Sequence, residues 1–203
     1  MNTSQVIKNK YLRQQKGFSL PELVIVLLVA AILLVLALPQ IISSTRLFRF
    51  SGMQRQVVAS LRDARQEAMS QRKPITFRYQ NNKQQIIIYG GRFGSMGDSK
   101  NYVHEMSGSG VAQNDIRYGR PNGVSAAALS DGTDLTALSD NAVEITFQPD
   151  GSVIDTSNNP QNKALFFYHN QHRKETAFAI SVLGAGGRVK VWRYSPGADL
   201  YVE

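Results

Sequence analysis

Cysteine is absent from the 203 residues. That removes thiolate nucleophiles, thiolate metal sites and disulfide staples together, so a folded domain in this chain stands on its apolar core. Histidine is scarce. His169 and His172 are three apart with no carboxylates on a helix beside them, which suits loop or strand-end residues better than metal ligands. Gly94-Ser95-Met96-Gly97 is not a nucleophile elbow, and no P-loop or dinucleotide fingerprint occurs. Asp131, Asp134, Asp140, Asp150 and Asp155 lack EF-hand spacing and read as turn residues. The sequence points to no enzyme, no cofactor and no metal. Acidic residues are also few, 15 against 23 Lys and Arg, for a formal charge of +8.

One long apolar run dominates what is present. A basic leader carrying Lys8, Lys10, Arg13 and Lys16, with no acid, ends at Gly17. Phe18-Ser19-Leu20-Pro21-Glu22 follows, and Leu23 to Leu38 then run without a polar side chain. As a helix, Phe18–Leu38 would span about 31 Å, close to the hydrocarbon thickness of a bilayer. Glu22 stands out there, because an unpaired carboxylate deep in a bilayer costs roughly 3 kcal/mol. A secretory signal peptide would have a shorter core and no acid at this point, although Val35-Leu36-Ala37 could pass for its cleavage site. A plain uncleaved anchor accounts for the length and the basic flank, but for neither Gly17 nor Glu22.

The stretch GFSLPELVIVLLV resembles the type III signal of type IV pilins and type II secretion pseudopilins, which accounts for the glycine and the glutamate together. The resemblance implies that a membrane-embedded prepilin peptidase cuts between Gly17 and Phe18 and methylates the new N-terminus. Glycine suits that position, since a backbone without Cβ enters a tight cleft extended. It also implies that Glu22, fifth in the mature chain, meets the α-amine of Phe18 in a neighbouring subunit, neutralising both charges in apolar surroundings. Pro21 falls in the first helical turn, where its missing N–H has no partner in any case. Removing the four leader charges lowers the formal +8 to +4. As a cytoplasmic flank, those charges would place the rest of the chain on the far, periplasmic side of the inner membrane.

Beyond Pro39, which is expected to kink or melt the helix, the helical pattern resumes. Phe50, Met53, Val57, Leu61, Ala64 and Ala68 recur at spacings of three and four. The other faces carry Arg46, Arg49, Arg55, Arg62, Arg65 and Arg72 against only Asp63 and Glu67, a solvated face or a partner-binding stripe. Pro74 closes the helix and the period changes to two. Ile75–Tyr79 and Gln85–Tyr89 flank Asn81-Asn82-Lys83 as a β-hairpin. The stretch from Gly90 to Asp140 is mostly glycine and turn residues, with short strands such as Asp115–Tyr118 at most; loops this long are commonly functional or mobile. Strands return at Ala142–Phe147, at Ser152–Ile154 after the turn Pro149-Asp150-Gly151, at Ala164–Tyr168, at Thr176–Leu183 and at Arg188–Tyr194. In the last, Val189 and Val191 alternate with Arg188, Lys190 and Trp192.

One long helix followed only by strands implies an α+β roll, the helix covering one face of an antiparallel sheet. The parts would be a leader over 1–17, a transmembrane and assembly helix over 18–38, its amphipathic continuation over 39–73, and a β-rich domain over 74–203. Within it, Leu61-Arg62-Asp63-Ala64-Arg65-Gln66-Glu67-Ala68 is similar to the L-x-x-A-R-x-E-A helix of the GspH/FimT family. Phe147-Gln148-Pro149-Asp150-Gly151 resembles its F-x-P-x-G turn, and Gly187-Arg188-Val189-Lys190-Val191 its closing strand. That resemblance covers Phe18–Tyr89 and Ala142–Tyr194 and implies a type IV pilin-like roll. It also implies a low-copy subunit near a filament tip: a minor pilin that helps initiate a type IV pilus, or pseudopilin H of type II secretion. Its partners would be other pilins or pseudopilins, the prepilin peptidase and the inner membrane. Some members are implied to capture DNA through a C-terminal G-R-x-R patch. Here Lys190 replaces the last arginine, keeping charge and losing the bidentate fork. Arg188, Lys190 and Arg193 are the candidate DNA contacts, with Trp192, Tyr194, Arg173 and Lys174 extending them. The same residues also suit the solvent face of an edge strand. A membrane-anchored nucleic-acid-binding domain that never polymerises is the third possibility.

Overall fold

The computed structural model describes residues 18–92, 98–106, 115–125 and 127–203. One helix, α1, spans Leu20–Gln71, and ten strands follow. They are β1 Ile75–Gln80, β2 Gln85–Gly90, β3 Asp98–Glu105, β4 Ile116–Tyr118, β5 Ala142–Phe147, β6 Val153–Ile154, β7 Lys163–His169, β8 Phe178–Val182, β9 Val189–Ser195 and β10 Leu200–Val202. The chain divides into two compact units at Ser44/Thr45.

In the first unit the helical stretch Leu20–Leu38 is long and apolar enough to cross a membrane, and none of it is buried by the protein. Leu23, Ile25, Leu28 and Leu34 are all open to the surroundings. The melting expected at Pro39 does not occur, since α1 continues through that residue. Proline removes one i→i−4 bond, and one missing bond does not end a helix of 52 residues.

In the second unit the apolar stripe Phe50, Met53, Val57, Leu61, Ala64 and Ala68 is buried as its periodicity predicts. Ala64 and Ala68, both fully buried, let the strands approach the last turns of the helix closely. The expected single sheet is in fact two five-stranded sheets, in the orders β3-β2-β1-β5-β6 and β10-β9-β8-β7-β4. Every pairing is antiparallel, including the expected hairpin, where Phe77 faces Ile88. Apart from β4, which joins β7, the second sheet is built from the strands after β6. β6, only two residues long, ends the first sheet at Ile154, and β7–β9 then pair among themselves. Both sheets share one core with the helix: Phe77, Ile145 and Phe147 come from the first, Leu165, Phe167, Phe178 and Ile180 from the second.

The second sheet is covered on its other face too. Ala164, Phe166, Ala179, Trp192 and Tyr194 pack there against Leu129, with Val124 and Leu135 at the margin. Residues 127–138, placed by the sequence in a glycine-rich stretch of unassigned structure, thus form a strap over the sheet. Thr136 fixes it by exchanging hydrogen bonds with Ala164: its N–H donates to the Ala164 carbonyl at 3.0 Å and its Oγ1 accepts from the Ala164 N–H at 2.9 Å. Arg120 holds Asp134 at 2.6 Å and lies over the Phe166 ring. β3, also within that stretch, pairs with β2 as an edge strand, and β4 agrees with the expected short strand.

Candidate functional site

At the start of the chain the pair expected to be processed is half visible. Gly17 lies outside the described residues, whereas Phe18 is exposed and precedes α1. The Ser19 carbonyl accepts the Leu23 N–H at 3.1 Å, which opens the helical ladder around Pro21 and Glu22. Glu22 sits in the first turn, where the helix dipole favours a negative charge. Its side chain is exposed and has no ion-pair partner among the described residues. Below it the apolar side chains are open as well. A carboxylate at the mouth of such a helix is neutralised in an apolar phase either by taking up a proton or by pairing with a cation, and no such cation pairs with it among the described residues.

The three cations expected on β9 do not form one patch. Arg188 and Lys190 share a face and a carboxylate: Lys190 Nζ lies 2.7 Å from Glu203 Oε2, and Arg188 reaches Glu203 Oε1 at 3.9 Å. Arg188 is 69% exposed and Lys190 only 17%. Arg193, at an odd position with Val189 and Val191, faces the opposite side. It lines a depression of about 260 Å³ with Phe50, Gln54 and Glu175. β10 pairs beyond β9 only from Arg193 to Ser195, so among the described strands the half of β9 that carries Lys190 is an open edge, as the edge-strand reading expects.

The interleaved aromatics need a correction. Trp192 is 1% exposed and Tyr194 is buried as well. Alternation places Trp192 on the same face as Lys190, but the strap and its neighbours cover that position. Trp192 Nε1 donates to Ser181 Oγ at 2.9 Å, and Ser181 Oγ donates to Asp131 Oδ2 at 2.6 Å. The relay ties the strap to the sheet. Burial pushes the Asp131 carboxyl up, but hydrogen bonds from Ser181 and Thr133 outweigh it and hold the group below the usual aspartate range. Arg173 and Lys174 stay in the loop after β7, Arg173 donating to the Asn170 carbonyl at 3.3 Å and Lys174 lying against Gly123. His169 is buried at the end of β7, edge-on to Phe50, with the Asp115 carboxylate 3.7 Å away.

The structure brings together a site that the three motifs named only separately. Arg65 of α1, Gly151 of the Pro-Asp-Gly turn and Gly187 of the β8–β9 turn meet at one point. A Cβ built on Gly187 would collide with the Gly151 carbonyl oxygen and stand 3.0 Å from Arg65 Nε. Both glycines have positive φ, 81° and 58°. Arg65 Nε is shut off from solvent there without an acceptor among the described residues. Beside this junction an open groove of about 470 Å³ is lined by Arg62, Arg65, Gln66, Met69, Arg188 and Val189. Residue spacing shows Arg62, Gln66 and Met69 on one helix face, but it does not show that Arg188 faces them.

Comparison with known proteins agrees with two parts of this description. The model of the prokaryotic N-terminal methylation motif matches residues 12–38, and that of the family described as type II transport protein GspH matches residues 54–186. No curated protein matches the chain. Two crystal structures of the type IV minor pilin FimU of Pseudomonas aeruginosa are similar to it. One, in space group P21, is 16% identical, with a TM-score of 0.47, covering 76% of this chain and 92% of that one. The other, in P65, is 15% identical, with a TM-score of 0.46, covering 75% and 97%.

Proposed function

The chain belongs to the GspH family of type II transport proteins, and from that premise we propose that it is a pilin-like subunit built into a filament of the type IV pilus class through its N-terminal helix. The observation that carries this reading is Glu22, a carboxylate unpaired among the described residues at the head of an uncovered apolar helix inside a matched methylation motif. Prepilin peptidase would remove residues 1–17 and methylate Phe18. Glu22 would then neutralise the α-amine of Phe18 in the neighbouring subunit, and the globular unit would stand on the periplasmic side. As a minor subunit it would help start the filament at its tip. A type II secretion pseudopilus is the second reading, favoured by the description of the family itself.

We do not extend the proposal to DNA capture by β9. Glu203 holds Lys190, which is mostly covered, and Arg193 faces the other way, so Arg188 stands alone on its face of β9 and the three offer no continuous track for a phosphate backbone.

The test is Glu22→Ala in cells that assemble the filament. The expected result is a stable, membrane-bound protein missing from sheared filaments. Wild-type incorporation of the variant would mean that the subunit enters the filament without Glu22, whereas absence of the wild-type protein itself from sheared filaments would mean an anchored domain that does not polymerise.

A further inference from the structure

We propose that the groove between α1 and the β8–β9 turn receives an acidic side chain, flanked by apolar residues, from a different protein subunit of the filament. The proposal rests on the filament reading above and names the chemistry of one neighbour.

Three guanidinium groups, from Arg62, Arg65 and Arg188, border the groove. Arg62 and Arg65 make no ion pair with any described residue, and Arg188 has only the 3.9 Å contact with Glu203, whose carboxylate is committed to Lys190 at 2.7 Å. Arg65 is braced from behind by the Gly151–Gly187 junction, so its position is set before any partner arrives. A braced arginine loses less side-chain freedom on binding, which favours a fixed carboxylate over a mobile counter-ion.

The rest of the lining selects among anionic partners. Met69 is 40% exposed and lines the groove together with Val189. A nucleic-acid backbone would use the guanidinium groups and leave this apolar part uncovered, whereas a protein segment with a glutamate or aspartate beside apolar residues matches both. A second copy of this chain fits less well. The mature chain is net positive, and the exposed face of α1 presents Arg49, Arg55 and Arg62, so copies approach like to like.

The experiment uses the full chain in detergent micelles and an end-capped fluorescent peptide of alternating glutamate and leucine. A glutamine-for-glutamate peptide and a short DNA duplex serve as comparison probes. The variant is Arg62→Ala/Arg188→Ala, two exposed side chains whose loss should leave the thermal midpoint unchanged. The glutamate peptide should bind, weaken with salt, and bind at least about tenfold less tightly to the variant, since each lost charge-assisted hydrogen bond is worth about a factor of ten or more. The glutamine peptide should fail. Equal binding of both peptides, or of wild type and variant, overturns the proposal. So does variant-sensitive binding of the duplex alone, which would make the groove a nucleic-acid contact, or variant-sensitive self-association in sedimentation, which would make the partner a second copy. Failure of the filament reading looks different: the wild-type chain would then be absent from sheared filaments, whatever the peptide does.

Discussion

Gly187 shows how much of the fold can rest on a missing side chain. Its φ of 58° is costly for any other residue except asparagine or aspartate, and a Cβ there meets the Gly151 carbonyl, a backbone atom that cannot rotate away. Gly187→Ala should therefore destabilise the protein by on the order of 3 kcal/mol, strain and steric conflict together. Urea unfolding of the full chain in detergent checks this, with Gly186→Ala as the control, since a Cβ at Gly186 meets nothing within 4 Å. Equal midpoints for the two variants would show that the turn relaxes freely and that the junction with Arg65 is not fixed. The sequence marks Gly151 as a turn glycine, Gly187 as the start of the closing-strand motif and Arg65 as one of several helix arginines. Their meeting was hidden, because periodicity reports what lies on a face of an element and says nothing about which distant element comes to it.

At the scale of elements, the stripe from Phe50 to Ala68 and the β1–β2 hairpin were legible because their periods, 3.6 and 2, are local properties. The strap over 127–138 was not. It makes neither helix nor strand, and its attachment depends on single side chains, Leu129, Asp131, Asp134 and Thr136, scattered among turn residues. Trp192 was misplaced for the same reason: alternation gives a face, not what covers it. The strap should be acid-labile. Hydrogen bonds from Ser181 and Thr133 against burial hold Asp131 low, and the Leu135 N–H and Arg120 hold Asp134 low, so both carboxyls titrate below the ordinary aspartate value near 3.8. A carboxylate depressed on folding contributes stability that is fully present above its unfolded value and is lost as pH falls through its folded one. The strap should therefore loosen below about pH 4. The sole tryptophan reports it, since Trp192 is hydrogen-bonded through Ser181 to Asp131. Its emission should shift to the red on acidification, while the far-ultraviolet circular dichroism of the rest holds. In Asp131→Ala the emission should already be shifted at neutral pH and respond less to acid. An unchanged emission maximum in that variant would remove Asp131 as the tether.

At the scale of the whole molecule, the two units make different demands. The one after Ser44 buries its own core and satisfies its strands internally. The one before it leaves a row of large apolar side chains open and a carboxylate without a described partner, so it is stable only with a membrane or other helices around it. Processing and assembly would then act on adjacent but separable features. On the proposed function, cleavage would need the glycine, because the peptidase would thread the backbone, and assembly would need the carboxylate, because a new α-amine would have to be neutralised in an apolar setting. Gly17→Leu should leave the chain at precursor mass and out of filaments. Glu22→Ala should yield the mature mass, starting at Phe18, and still stay out. Mass spectrometry of the membrane fraction, read beside sheared filaments, separates the two. A Glu22→Ala protein that accumulates only as precursor would move Glu22 from assembly to recognition by the peptidase. Its lack of a partner among the described residues would then reflect an enzyme contact rather than a neighbouring subunit.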